Sequence, residues 1–154
     1  ILMHSVAKGG LFLCAGIIEQ NTHNKDITKM GGLIKTMPVT AVSFALCSLS
    51  VMGIPPFGGF FSKFMVFQGA AQNGSLTVML MFLAGAVMTL LYLTRLFYLV
   101  FLGEEKAENP KEGSALMVNG VLALALIGLV LGALVYYPAS YVDMLTTQLG
   151  VNLE

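Results

Sequence analysis

The apolar stretch at residues 36–73 most constrains the fold of this chain, because it is too long for one straight membrane span. As a single helix, residues 38–72 would extend for roughly 50 Å, whereas the hydrocarbon core of a bilayer is about 30 Å thick. The middle of the stretch reads GIPPFGGFFSKF, which carries two prolines and three glycines. We therefore expect the helix to turn or break at residues 53–59.

Two arrangements fit this length: a hairpin of two short helices, or one span interrupted by an extended loop. The loop residues lack backbone donors or permit non-helical dihedrals; they are Gly53, Pro55, Pro56, Gly58 and Gly59. Charge favours the interrupted span. Lysines occur in the intervals 19–35 and 103–113 but not near 72–75, and a single crossing puts all of them on one face.

The rest of the chain also has a membrane composition. Of its 154 residues, 56% are hydrophobic and 10% are charged, and eight basic residues balance eight acidic ones, which argues against a nucleic-acid partner. We predict an all-α, polytopic transmembrane helical bundle of about four spans, one of them broken. This single membrane domain, residues 1–154, comprises spans at about 1–18, 36–73, 76–102 and 115–138, and a surface tail at 139–154.

The loop lysines predict an orientation as well. By the positive-inside rule, the loops 19–35 and 103–113 are cytoplasmic, which places the C-terminal tail on the opposite side. The chain opens with ILMHSVAKGG, without an initiator Met and basic leader. We expect it to be the C-terminal piece of a longer membrane protein, or one product of a split gene.

Two basic residues of the first span, His4 and Lys8, lie one helical turn apart on the same face. Lys8 would lie about 15 Å from the helix end near Ile18, close to the middle of the membrane. An intramembrane lysine is costly and rarely lacks a partner or a water-filled cavity. The pair could exchange a proton directly or through one water. The alternatives are a structural ion pair for Lys8 and a packing role for His4.

Lys63 follows the expected break. If the second half-helix begins near Phe60 to Ser62, Lys63 lies in its first turn, where the positive helix dipole and burial both disfavour a charged ammonium. Irregular backbone at membrane depth is tolerated where it packs in protein or lines water, and broken helices occur at ion sites in transporters. We therefore expect Lys63 to take up and release protons. The alternative is a lysine that extends to the outer interface beside a proline kink.

Substrate chemistry is not expected in this chain. Cys14 and Cys47 lie in apolar runs, and the sequence has no CxxC, no metal-ligand spacing, no Gly-rich phosphate loop and no nucleophile–base set. We predict no metal, no cofactor and no catalytic centre here.

Three motifs in order, HSVAKGGLFLCAG, DITKMGGLIKTMP and GIPPFGGFFSKF, resemble the C-terminal half of the antiporter-like proton-channel subunits. Such subunits occur in respiratory complex I, in Mrp-type sodium/proton antiporters and in energy-converting membrane-bound NiFe hydrogenases. The resemblance is strong over about residues 1–102. It implies two inverted five-helix repeats, each with one broken helix, of which the first repeat is absent from these residues.

The resemblance also implies site residues. Lys8 corresponds to the buried lysine of the second repeat, His4 to its neighbour, and Lys63 to the charged residue of the second broken helix, where some members carry Glu. The implied role is redox-driven proton or sodium translocation. Iron–sulfur, flavin or NiFe centres are then expected only in partner subunits, and the partners include other membrane subunits and the missing N-terminal half.

Two other functions stay open on the sequence. One is a cation/proton antiporter subunit of the Mrp type that works without redox chemistry; the other is a structural membrane scaffold whose charges only pair helices. In each case we expect an integral membrane protein, most simply of a prokaryotic cytoplasmic membrane.

Overall fold

The computed structural model describes residues 2–104, 110–134 and 144, and each regular element within them is helical. This confirms the all-α prediction. The tail predicted at 139–154 lies, apart from residue 144, outside the described residues. The helices are α1 (Leu2–Thr22), α2 (Pro38–Met52), α3 (Gly58–Gln72), α4 (Leu76–Phe97, continued by a π-helical turn at Tyr98–Leu102) and α5 (Ala115–Ala133), with a 3₁₀ turn at Ile27–Lys29.

Within the described residues, three helices are long and apolar enough to cross a membrane: α1, α4 with its π-helical turn, and α5. The helices α2 and α3 have 15 residues each and extend for roughly 22 Å, which is less than the hydrocarbon thickness. A fourth span therefore needs both of them, one after the other.

The core lies between α1, α2 and α5, which pack against one another, while α4 packs outside them on α2 and α3. The largest fully buried apolar side chains are Phe101, Ile17, Leu33, Met37 and Val121. Most side chains of α4 are exposed. Because this helix is strongly apolar, its exposed surface suits contact with lipid or with another membrane helix.

The two lysine-bearing loops meet at one end of the bundle. The backbone N–H groups of Leu33 and Ile34 donate to the carbonyls of Val100 and Phe101, at 3.4 and 3.2 Å. Carbonyls in the last turn of a helix lack intrahelical partners, so the first loop supplies them. The loop around residues 23–37 and the described residues 103–104 and 110–114 consequently share one face, as the charge pattern predicts.

This geometry favours the interrupted span over the hairpin. Over residues 76–102, α4 rises roughly 40 Å, so its first residue lies at the end of the bundle opposite the loops. The end of α3 at Gln72 lies beside that residue, whereas α2 begins at the loop face. In this arrangement α2 and α3 together cross the bundle once, which is the course that the interrupted span predicts.

Candidate functional site

The helix break begins at a glycine-terminated end of α2. Gly53 has φ +80°, a left-handed conformation that residues with a side chain rarely adopt. Its N–H and that of Ile54 both donate to the Leu49 carbonyl at 3.1 Å, which closes the helix in the way that C-terminal glycines commonly do. Residues 53–57 then connect α2 to α3, and the Pro55–Pro56 peptide bond is cis.

Gly58 and Gly59, which the sequence suggests as loop residues, form the first turn of α3. A Cβ on Gly59 would overlap the carbonyl oxygen of Ser50, and a Cβ on Gly58 would lie 2.5 Å from the sulfur of Met3. The start of α3 therefore contacts the backbone of α2 at Gly59, where no side chain fits, and the flexible side chain of Met3 at Gly58. Close packing of backbone against backbone explains Gly59.

Lys63 lies in the second turn of α3, because that helix begins at Gly58 and not near Phe60 to Ser62. Its Nζ donates to the Met52 carbonyl at 2.9 Å, and its stem packs against Gly53. The Met52 carbonyl belongs to the last turn of α2, the negative end of that helix dipole. The structure thus places the ammonium beside an attractive dipole end that the sequence argument, based on α3 alone, did not include.

His4 and Lys63 line one small cavity next to the break. The cavity has a volume of about 70 Å³ and is lined by Met3, His4, Ala7, Ser50, Val51, Gly59, Ser62 and Lys63. A cavity needs roughly 15 Å³ of such space to hold one water molecule, so this one has room for water. The imidazole, the ammonium and two hydroxyl groups are the polar parts of this wall, and they can bind water or pass a proton through it.

Lys8 is half-buried on α1, one turn beyond His4, and is not among the residues that line this cavity. The structure therefore brings His4 and Lys63 together and leaves Lys8 in the next turn. Ser50 and Ser62 are cavity residues that the sequence reasoning missed. Their signal was their position, because each lies within three residues of a predicted break residue or of Lys63.

Metal ligation has no candidate among the residues that the structure describes, since no three His, Cys, Asp or Glu side chains lie close together there. The site consists of one lysine, one histidine, two serines and freed backbone carbonyls. Such groups bind protons, water or small cations.

Comparison with known proteins identifies the family. Residues 1–89, more than half of the chain, match the family described as NADH:quinone oxidoreductase/Mrp antiporter, TM. The chain belongs to this family. As a member of the NADH:quinone oxidoreductase/Mrp antiporter family whose described part contains three apolar helices of spanning length, it is an integral membrane protein.

The relatives include both NADH-quinone oxidoreductase subunits and Na⁺/H⁺ antiporter subunits. The chain is 36% identical over 132 residues to NADH-quinone oxidoreductase subunit L of Mycobacterium tuberculosis, covering 81% of this chain and 21% of that protein. It is 37% identical over 132 residues to a subunit of the Na⁺/H⁺ antiporter of Alkalihalophilus pseudofirmus, covering 82% of this chain and 27% of the relative. The chain thus spans only about a quarter of the length of these relatives.

The fold has a counterpart among solved structures. A chain of the Mrp complex from Dietzia sp. DQ12-45-1b superposes with a TM-score of 0.78 at 24% sequence identity. The superposition covers 85% of this chain and 33% of the other. At this identity the likeness concerns the fold alone, and it agrees with the helical arrangement described above.

Proposed function

We propose that this chain is part of a proton-translocating membrane subunit of a redox-driven ion-pumping complex, of the NADH-quinone oxidoreductase or membrane-bound hydrogenase type. The observation that carries the proposal is the position of Lys63. Its ammonium binds the Met52 carbonyl at the break of a membrane span and faces a cavity that it shares with His4. A titratable pair beside room for water, within a broken helix, is the arrangement that proton transfer needs.

Each group has a role in this mechanism. In the charged state, Lys63 donates one hydrogen bond to Met52 and keeps two N–H groups for water in the cavity or for His4. After it gives up a proton, the neutral amine can accept one from the same water. His4 relays between this cavity and Lys8, which lies one turn along α1 and carries the proton further.

The wider setting follows from the same proposal. Partner subunits, which include further membrane subunits and the remainder of the channel, would hold the iron–sulfur, flavin or NiFe centres that drive transport. The loops at 19–35 and 103–113 would face the cytoplasm of a prokaryotic cell, in keeping with their lysines. The relatives are themselves named as subunits, which supports an assembly of several chains.

The test is proton pumping by the complete complex in sealed vesicles. We expect Lys63→Gln to lower the rate of pumping at least tenfold while the complex still assembles, because an amide cannot carry the proton. His4→Ala should lower the rate as well. Lys29→Gln, at an exposed position in the loop, is the matched control and should pump like the natural protein.

A structural role for these charges would give a different result. If Lys63→Gln pumps normally but yields less assembled complex, the lysine only pairs helices, and the proposed function is wrong.

The second candidate is a cation/proton antiporter subunit of the Mrp type without redox chemistry. It is favoured by the 37% identity to a Na⁺/H⁺ antiporter subunit, which is as high as the identity to the oxidoreductase relative. Purification of the intact complex separates the two. Acidification of vesicles that requires a redox substrate supports the first function, whereas proton movement driven by a sodium gradient alone supports the second.

A further inference from the structure

The helix α5 and Glu112, three residues before it, contact the broken span at two points: the start of α2 and the break. The first point is the start of α2. Met37 offers no side-chain cap there, and Pro38 has no backbone N–H. The Glu112 carboxylate fills this position: it accepts from the Val39 N–H at 3.2 Å, from the Thr40 N–H at 3.1 Å and from the Thr40 hydroxyl at 2.6 Å.

These bonds are well suited to holding a helix. A carboxylate at a helix N-terminus satisfies free N–H groups and complements the positive dipole end. Glu112 is half-buried, and both of its oxygens are used. Because it lies more than 70 residues away in the chain, the contact fixes α2 relative to α5 and does not merely extend α2.

The second point is the break itself. Gly132, in the last turn of α5, lies directly against the backbone of the connection: a Cβ there would overlap the Gly58 nitrogen and approach the Pro56 oxygen to 2.6 Å. A residue larger than glycine would push α5 and the break apart. Gly120, on the same helix, is an ordinary helix glycine, because a Cβ added to it would meet no atom within 4 Å.

The distance between the two contacts is similar along both segments. From Glu112 to Gly132, α5 and its preceding residues cover roughly 25–30 Å, and α2 with the start of its connection covers a similar distance. Residue Glu112 therefore contacts the beginning of α2, and Gly132 of α5 contacts the connection that follows the end of α2. We propose that Glu112 and Gly132 are positioning residues. They fix α2 and the break against α5, and so keep the Met52 carbonyl and the cavity in place beside Lys63.

This inference rests on the proposed function, in which Lys63 carries a proton. Lys63 binds the carbonyl of Met52, the last residue of α2, so a shift of α2 along its axis would change that bond directly. A shift of the break would change the cavity, in which His4 is the other titratable side chain. Loss of either contact should therefore alter the pH at which Lys63 loads and releases its proton, and not only the amount of complex.

The experiment measures proton pumping against pH in the complete complex. We expect Gly132→Ala and Glu112→Ala to move the midpoint of the pH profile by half a unit or more and to lower the rate at neutral pH at least threefold. Glu112→Asp, which keeps the carboxylate, should recover part of the loss. The matched controls are Gly120→Ala and Glu104→Ala, an exposed acid of the same loop, and both should keep the natural profile.

The outcomes are distinct. If Gly132→Ala and Glu112→Ala assemble and pump with the natural pH profile while Lys63→Gln does not pump, the positioning role is wrong and the proposed function stands. If Lys63→Gln pumps normally, the proposed function itself is wrong. If Gly132→Ala fails to assemble, the pH profile of Glu112→Gln is the test. A shifted midpoint supports the positioning role, and the natural midpoint overturns it.

Discussion

Lys63 shows how a single residue can be affected by two half-helices at once. It lies in the second turn of α3, whose positive dipole end is near, and its ammonium touches the last turn of α2, whose dipole end is negative. The two effects oppose each other. The charge of this lysine consequently depends on the relative position of the two helix ends, which makes the break the natural place to control it.

The geometry of the first loop predicts a measurable shift in the pKa of Asp26. Its carboxylate accepts from the Thr28 hydroxyl at 2.7 Å and from the Thr28 N–H at 3.0 Å, and these bonds hold the pKa of Asp26 below its ordinary value, with a smaller contribution from Lys29. Because the bonds favour the charged form in the folded protein, they stabilise the loop above the ordinary pKa of Asp and are lost as the pH falls through the lowered value.

We expect Thr28→Val to raise the pKa of Asp26 toward its ordinary value, since the substitution removes the hydroxyl donor and keeps the N–H. Carboxyl carbon chemical shifts measured across a pH titration would report this. An unchanged pKa in the variant would show that the hydroxyl contributes nothing.

At the level of elements, the broken span could be predicted in part. Pro55, Pro56 and the over-long apolar stretch are local signals, and they predict the interruption between α2 and α3. The partner of Lys63 could not be predicted, because the Met52 carbonyl is set by how α2 and α3 meet in space. The cap from Glu112 was likewise missed, since no local pattern joins residues so distant in the chain.

The close approach at the start of α3 leads to a prediction for its glycines. Gly59→Ala should destabilise the protein by on the order of 1–3 kcal/mol, because the new methyl group would overlap the Ser50 carbonyl and force the half-helices apart. Thermal unfolding of the purified complex in detergent would measure it.

Gly69, farther along the same helix, is the comparison, since a Cβ there has no neighbour within 4 Å. Gly69→Ala should be neutral or stabilise the helix by up to about 1 kcal/mol, because alanine favours helix more than glycine does. Equal unfolding temperatures for the two alanine variants would contradict the packing explanation of Gly59.

At the scale of the whole molecule, the first lysine-bearing loop and the described residues of the second lie at one end, and the α3–α4 connection lies at the other. This leads to a prediction about sidedness. If the loop lysines face the cytoplasm, as the positive-inside rule predicts, a membrane-impermeant maleimide should label Gln72→Cys from outside in right-side-out vesicles. It should label Lys29→Cys only after the membrane is permeabilised. The reverse pattern would invert the proposed orientation, and labelling of both from one side would contradict the single crossing.

The two cysteines of the chain give that experiment a useful property. Cys14 and Cys47 are 0% and 2% exposed, and Gly10 lies so close to the Cys47 sulfur that no side chain could be inserted between them. A bulky water-soluble reagent has no route to either thiol while the helices stay packed. The natural chain therefore serves as the unlabelled control. Single-cysteine probes can be introduced in this region without first removing Cys14 and Cys47.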